Sequence, residues 1–401
     1  MHPMGSDGEA HPTPGRHGLT ELARVFLKLG VIGFGGPAAH LAMMDDEVVE
    51  RRQWLSREHF LDLVGATNLI PGPNSSEMTM HIGYERGGIP GLVVAGSCFI
   101  LPAVLITGVA AWAYVTYGSL PAVEPLLFGI KPAVLSVILG AVWKLGRTAV
   151  AGWRLGVLGA GVLIGVLAGV GEIPALFAGG VIGMVWLRLS ARPRGTASSL
   201  VVVPFLTHPP SAGASALAVG AAGAAATVSL WQLGFFFLKV GAVLYGSGYV
   251  LVAFLEGGLV EQFGWLTRAE LLDAIALGQL TPGPILSTAT FVGFLLHGAP
   301  GAAVATVGVF LPSFVFVLAL NPVIPRLRTS AWMSAFLDAV NVAAVALMLA
   351  VTIQLGATVL VSWPAWVIAL AAAVVVLWFR VNAAWAVLGG ALVGYPLGLL
   401  A

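Results

Sequence analysis

Long apolar segments, separated by short polar connections, follow one another along nearly the whole chain. About 20 consecutive apolar residues suffice for a helix to cross a bilayer, so this pattern predicts an all-α, polytopic membrane protein. The predicted segments of the first half are 22–44, 59–84, 89–117, 123–146, 153–170 and 173–189. Those of the second half are 231–255, 269–297, 301–325, 333–358, 363–379 and 383–401.

The two halves carry the same motifs in the same order. Lys28, in Phe-Leu-Lys-Leu-Gly, matches Lys239 at a shift of 211 positions, and both Pro-Gly-Pro triplets match at the same shift. After a gap of one residue the shift is 210, and Lys131 then falls on Asn341. We infer an internal duplication, which is common in secondary transporters. The predicted domains are a disordered tail (1–20), a first transporter repeat (21–190), a linker (191–230) and a second transporter repeat (231–401).

Basic residues in matched connections predict that the repeats are inverted. Loop 45–58 carries three arginines and its counterpart 256–268 carries one, whereas turn 146–154 carries two and its counterpart none. Lys and Arg mark the cytoplasmic side of a membrane. The pattern closes if each repeat has five to six helical segments and a re-entrant hairpin broken at Pro-Gly-Pro. Arg16 and Arg24 disfavour an external N-terminus, so its side stays open.

Composition narrows the class further. The chain is 58% hydrophobic and 9% charged, and its net charge of +1 gives no reason to expect a nucleic-acid partner. The single Cys98 cannot form an intrachain disulfide. Residues 1–20 lack the apolar core of a cleavable signal peptide, and their histidines are typical of a mobile tail rather than a metal site. Residues 212–229 are apolar enough for an extra span as the alternative to a linker.

Two motifs in each half break helices inside apolar surroundings. The first is Gly33-Phe34-Gly35-Gly36-Pro37, matched by Leu244-Tyr245-Gly246-Ser247-Gly248, and the second is the triplet Pro71-Gly72-Pro73, matched by Pro282-Gly283-Pro284. Backbone groups freed by such breaks must face a cavity or a polar neighbour within a bilayer. A helix starts after each triplet, with Asn74, Ser75 and Ser76 in the first half and Ser287 in the second. Free amides at a helix start favour an anion, so these motifs predict an anion site, with a simple kink as the alternative.

Charged side chains within the segments are further candidates. Lys28, Lys239 and Lys131 could supply positive potential, with Asn341 as the neutral counterpart of Lys131. Lys28 and Lys239 lie close enough to segment ends that snorkelling to the interface is the alternative. Asp62 and Asp273 match each other, lie near the starts of their segments, and are interpreted as residues that cap or position helices.

Glu77 and His81 are four residues apart, on one face of the predicted helix after the first Pro-Gly-Pro. A carboxylate and an imidazole so placed could relay protons, with a structural pair as the alternative. The acidic loop 45–52 with Trp54 is interpreted as an interfacial stretch, either a solvated charge run or a gate.

At these residues the chain resembles the chromate ion transporter family in its long, two-domain form. The similarity rests on Phe-Leu-Lys-Leu-Gly with Phe-Gly-Gly-Pro and His40, Arg-Arg-x-Trp-Leu at 51–55, the paired Pro-Gly-Pro triplets and Tyr-Gly-Ser-Gly-Tyr at 245–249. It implies a bacterial inner-membrane protein that exports chromate, driven by the proton gradient, with halves of opposite orientation. Two positions depart from the glutamines typical of the family, Asn68 before the first triplet and Glu77 after the serines, whereas Gln279 keeps the pattern.

We therefore expect a secondary transporter whose partners are a small oxyanion and the lipid bilayer. A carrier of sulfate or another oxyanion and a channel are alternatives of the same class. An enzyme is a remote alternative, because the spans lack a nucleophile with its base and lack metal-ligand spacing. We expect no cofactor and no metal. The Gly-x-x-x-Gly spacings leave a homodimer open, since they also serve contacts within one chain.

Overall fold

The computed structural model describes residues 16–118, 120, 123–190, 228–320, 330–379 and 381–398. The described part of the chain is mainly helical and contains no strand. The helices of the first repeat are α1 (Arg16–Ile32), α2 (Pro37–Met44), α3 (Arg57–Thr67), α4 (Asn74–Tyr117), α5 (Glu124–Ala149), α6 (Trp153–Leu167) and α7 (Glu172–Ser190). Those of the second repeat are α8 (Leu230–Val243), α9 (Leu251–Leu255), α10 (Arg268–Leu280), α11 (Thr288–Leu320), α12 (Ala331–Val359), α13 (Trp363–Leu377) and α14 (Ala383–Gly398).

The predicted duplication is visible element by element. A wide, π-helical turn follows α2 at Asp45–Arg51 and follows α9 at Glu256–Gln262, again 211 positions apart. A helix ends before each Pro-Gly-Pro and another begins after it. The prediction of an all-α polytopic protein with two repeats and helices broken at Pro-Gly-Pro is confirmed. Residues 1–15 and 191–227, which hold most of the predicted tail and linker and nearly all of the alternative span, lie outside the described residues.

The long helix α4 folds back on itself at Gly88. The backbone there has φ 58° and ψ −148°, which is open to glycine and strained for other residues. A methyl group on Gly83 would lie 2.6 Å from the Cβ atom of Ala95, although residues twelve apart in a straight helix are about 18 Å apart. Helix α11 turns in the same way at Gly298, with φ 59° and ψ −149°. Each helix is therefore a hairpin of two limbs, as the predicted segment boundaries near 84–89 and 297–301 required.

Five helical stretches in the described part of the chain are long and apolar enough to cross a membrane: 74–117, 124–149, 172–190, 285–320 and 331–359. Four shorter apolar helices accompany them: α6, α8, α13 and α14. Large apolar side chains, among them Trp153, Trp378 and Leu392, are exposed on the outer faces, as expected where lipid replaces water.

The two repeats interleave rather than pack side by side. Helix α5 of the first repeat packs against α13 and α14 of the second, and α12 of the second packs against α6 and α7 of the first. Helices α4 and α11 also pack directly against each other. The largest cluster of buried apolar side chains therefore draws on both repeats.

Candidate functional site

The four helix-breaking motifs meet through two exchanged hydrogen bonds. The Gly72 amide donates to the Leu244 carbonyl at 2.7 Å, and the matching Gly283 amide donates to the Gly33 carbonyl at 2.7 Å. Each Pro-Gly-Pro turn thus docks on the glycine-rich break of the opposite repeat. His40 Nε2 also contacts the Gly33 carbonyl at 2.9 Å, so that carbonyl has two polar neighbours. Backbone groups of opposite breaks thus satisfy one another at these two points, which helps to explain how the breaks are tolerated away from water.

A cavity of about 610 Å³ opens beside this junction. Its wall comes from the residues around the first Pro-Gly-Pro, from the break at 246–248 of the second repeat, and from one face of α12 and the end of α5. The lining residues with polar side chains are Asn68, Asn74, Thr148, Ser247, Ser334, Asp338 and Asn341. Both repeats therefore build one concave, mostly uncharged polar surface, of a size suited to a small solute.

Amide groups dominate the polar part of the wall. Asn74 Nδ2 donates to Asn68 Oδ1 at 2.6 Å, and Asn68 Nδ2 donates to the Val64 carbonyl at 3.1 Å. Asn341 of the second repeat also lines the cavity, with its Oδ1 atom close to Gly246. Of the predicted substrate-binding residues, Asn68, Asn74, Gly246, Ser247 and Asn341 line the cavity.

The other predicted residues at the breaks lie behind or beside this wall. Ser75, Ser76 and Ser287 are buried at the helix starts and do not reach the cavity surface. Gln279 is 8% exposed, in the second-repeat position that matches Asn68. The remaining break residues surround the junction without lining the cavity: Gly35, Gly36, Pro71, Gly72, Pro73, Tyr245, Pro282, Gly283 and Pro284.

Glu77 and His81 lie in the buried limb of α4 that follows the first Pro-Gly-Pro. Glu77 is 0% exposed and His81 is 1% exposed. The Glu77 carboxyl group lies against Gly72 and Ser313, so closely that a methyl group on Gly72 would overlap both. Among the described residues, no Lys or Arg forms an ion pair with Glu77, and His81 Nε2 is buried without a hydrogen-bond partner. Two titratable groups thus lie in the interior, one turn apart and next to the junction.

The predicted lysines lie in three different settings. Lys28 is exposed and donates to Glu47 at 2.9 Å. This hydrogen bond, helped by Arg52, holds the pKa of Glu47 below its usual range. Lys239 is exposed on α8, and Lys131 lies 3.6 Å from the Asp273 carboxylate.

Of the two interpretations of Asp273, as a residue that caps or one that positions a helix, capping is excluded by the structure. Helix α10 begins at Arg268 and is capped by Thr267, whose hydroxyl group accepts from the Glu270 amide. Asp273 lies in the second turn, is 2% exposed, and faces Lys131 and Tyr114 of the first repeat. The predicted start of this segment, residue 269, agrees with the helix to within one residue, but Asp273 lies a full turn beyond the capping position. In α3 the capping side chain is Ser56, so Asp62 is not the cap there either.

Matched ion-pair clusters hold the wide turns, and the sequence interpretation missed them. Arg57 pairs with Asp45 at 3.2 Å and with Glu50. The matching Arg268 pairs with Glu256 at 2.6 Å and with Glu261 at 3.1 Å. The signal was present, since like charges recur at a shift of 211 in all three positions. Each cluster joins its wide turn to the helix that leads into Pro-Gly-Pro.

No group of three or more His, Cys, Asp or Glu side chains in the described part of the chain could hold a metal ion. The polar cavity, the repeated broken helices and the apolar spans together define a multi-pass membrane protein with the architecture of a solute transporter.

Comparisons with known proteins give the family. The model of the chromate transporter family matches residues 20–184 and again 231–395, one match for each repeat. The chain belongs to the chromate transporter family. It is 32% identical over 399 residues to the chromate transport protein of Cupriavidus metallidurans, covering 97% of this chain and 96% of the relative. It is 31% identical to a probable chromate transport protein of Synechococcus elongatus, over 92% of both chains. No solved structure matches.

Proposed function

We propose that this protein exports chromate across a bacterial inner membrane by alternating access, using the proton gradient. The observation that carries the proposal is the polar cavity at the point where the broken helices of both repeats meet. Family membership supports the substrate class, because three relatives with chromate transport in their names each align over most of this chain.

The chemistry of the cavity wall suits a tetrahedral oxyanion. The amide groups of Asn68, Asn74 and Asn341 and the hydroxyl group of Ser247 supply hydrogen-bond donors from several directions. Backbone at the glycine-rich break can approach the solute closely, because no side chain intervenes at Gly246. Neutral donors of this kind can replace part of the hydration shell of an anion and still release it. Sulfate has the same shape and charge as chromate, so its exclusion has to be measured.

Glu77 and His81 supply the proton coupling in this proposal. A fully buried carboxyl group without a cationic partner is far more stable when protonated than when charged. Movement at the Gly72 turn would alter the surroundings of Glu77 directly, because the two are in contact. Substrate binding at Asn68 and Asn74, which flank the first Pro-Gly-Pro, and proton exchange at Glu77 are thereby linked through one contact. Both symport and exchange are compatible with this linkage.

The test of transport uses inverted membrane vesicles that contain the protein. We expect chromate to accumulate in the vesicles when a proton gradient is imposed and to stop accumulating when a protonophore collapses it. Sulfate, added first as a competitor and then as the sole solute, measures selectivity. Equilibration without accumulation would show a channel, and accumulation of sulfate alone would replace chromate as the substrate.

Glu77→Gln tests the coupling. The amide keeps the size of the side chain and removes its titration, so we expect chromate binding to persist and the pH dependence of transport to change. Glu85→Gln, on the same limb of α4 but partly exposed and paired with His59, is the matched control. A wild-type pH profile in Glu77→Gln would remove Glu77 from the mechanism.

A further inference from the structure

The two repeats match in sequence but differ in how their re-entrant segments are buried. Leu272 of α10 is 1% exposed, whereas the matching Leu61 of α3 is 62% exposed. Gln279, at the end of α10, is 8% exposed, whereas the matching Asn68 is exposed and lines the cavity. Helix α10 packs against α4, α5 and α14 of the surrounding structure. The surface of α10 in the second repeat is therefore covered by other helices, whereas the matching surface of α3 in the first repeat is open.

The closed contact is held by a buried polar cluster between the repeats. Asp273 of α10 lies 3.6 Å from the Lys131 ammonium of α5 and accepts a hydrogen bond of 2.9 Å from the Tyr114 hydroxyl. The Asp273 side chain is 3% exposed and that of Lys131 is 25% exposed. A buried charge that loses its partner is costly unless water can solvate it. The ion pair therefore stabilises the closed contact relative to any state in which Lys131 and Asp273 separate and remain dry.

The matching place in the other repeat is the cavity itself. Lys131 corresponds to Asn341, and Asn341 lines the same cavity as Asn68, which lies at the end of α3. The cavity therefore separates α3 from α12. At the matching interface, α10 and α5 are in contact through the Lys131–Asp273 ion pair. A transporter with matched repeats can exchange these two arrangements, opening one interface as the other closes.

We propose that the Lys131–Asp273 pair is a closed gate, and that its opening exposes a second anion-binding site on the opposite face, in which the Lys131 ammonium group is the cation. This inference rests on the proposed transport function. The residues that match the present cavity wall predict the second wall: Gln279 in place of Asn68, Gly35 and Gly36 in place of Gly246 and Ser247, and Lys131 in place of Asn341. The anion would meet neutral amides from one side of the membrane and a lysine from the other.

Cysteine accessibility tests the gate without any substrate. Asn68→Cys and Gln279→Cys are placed separately in a Cys98→Ala background and labelled with a water-soluble maleimide in permeabilised membranes. We expect rapid labelling at 68 and slow labelling at 279. Adding Asp273→Asn should speed labelling at 279 by about tenfold or more, because it leaves Lys131 unpaired in the closed state. The same change should slow labelling at 68.

The opposite direction of the two changes separates gating from damage. A variant that merely unfolds would label faster at both positions, and that result would overturn the gate, as would labelling unaffected by Asp273→Asn. Lys144→Met, which removes an exposed lysine from the same helix α5, is the control and should leave both rates unchanged. The charge-reversed pair Lys131→Asp with Asp273→Lys should restore the wild-type pattern.

A second measurement tests the binding role of Lys131. Chromate KM is compared between right-side-out and inverted vesicles for Asp273→Asn alone and for Asp273→Asn with Lys131→Met. The second variant should raise KM by about tenfold or more from one side only. An equal KM from both sides would overturn the role of Lys131 and leave the gate to the labelling result. Absence of chromate transport by the wild-type protein would instead contradict the proposed function.

Discussion

The central arginine of an ion-pair cluster can be replaced in either repeat, at Arg57 or at Arg268, and the two clusters differ in how deeply their carboxylates are buried. Arg268→Met removes the partner of Glu256, which is 0% exposed and receives the Arg268 Nε–H at 2.6 Å. Arg57→Met removes the partner of Asp45 and Glu50, whose side chains are 25% and 60% exposed. The chemistry of the two substitutions is the same, so burial of the remaining carboxylate is the main difference between them.

The expected costs differ severalfold. Leaving a buried carboxylate without its partner destabilises a protein by about 3–5 kcal/mol, whereas exposed ion pairs contribute about 0–1 kcal/mol. Arg268→Met should therefore lose most of its folded fraction at a temperature at which Arg57→Met is nearly unaffected. The measurement is monodispersity by size-exclusion chromatography after a heating series in detergent. Glu256→Gln combined with Arg268→Met should recover most of the loss, because the uncompensated charge is gone.

The effect of pH on this variant has a definite sign. Burial raises the pKa of Glu256 above its usual value, and Arg268 opposes that rise. Without Arg268 the pKa rises further, so the folded variant loses stability as the pH increases through that raised pKa. Below the pKa of an unfolded glutamate the penalty disappears, because Glu256 is protonated in both states. Equal losses for Arg57→Met and Arg268→Met, or a loss that grows toward low pH, would refute the reasoning.

Three further predictions follow from the repeats and the cavity. Cysteines at the exposed, matched positions Glu58 and Ala269 should react with an impermeant maleimide from opposite sides of the membrane if the repeats are inverted, and labelling from one side would contradict inversion. Asn341→Ala should weaken chromate binding by about 1.5–3 kcal/mol, measured by equilibrium binding, whereas Ser75→Ala, which lies off the cavity wall, should bind nearly as the wild type does. Lys28→Arg should preserve the pairing with Glu47 and transport better than Lys28→Met, and equal activity would make Lys28 an interfacial anchor.

Backbone features could be predicted from the sequence with good accuracy. Glycine and proline act locally, so the two Pro-Gly-Pro turns and the fold-backs near Gly88 and Gly298 could be located within a few residues. Because matched motifs lie at a constant offset in residue number, each feature predicted in one half could also be predicted in the other.

Contacts between the repeats could not be predicted in the same way. Asp273 and Lys131 are far apart along the chain, and their pairing depends on how α10 packs against α5. Asp338 on the cavity wall has an aromatic counterpart, Phe128, so the duplication gave no reason to select it. Comparing the sequences of the two halves therefore does not identify functional residues at positions where the halves differ. Several such positions line the candidate site.

The exchanged hydrogen bonds at the two glycines have a consequence for how such proteins are assembled. Neither half holds the acceptor for its own Gly72 or Gly283 amide, because the Leu244 and Gly33 carbonyls come from the opposite half. A polypeptide with only one of these halves would have to find a second half, identical or related, before its turn could be stabilised in a bilayer. Cutting the covalent connection between the halves should be tolerable, whereas either half expressed alone should be stable only if a second copy supplies the missing acceptor.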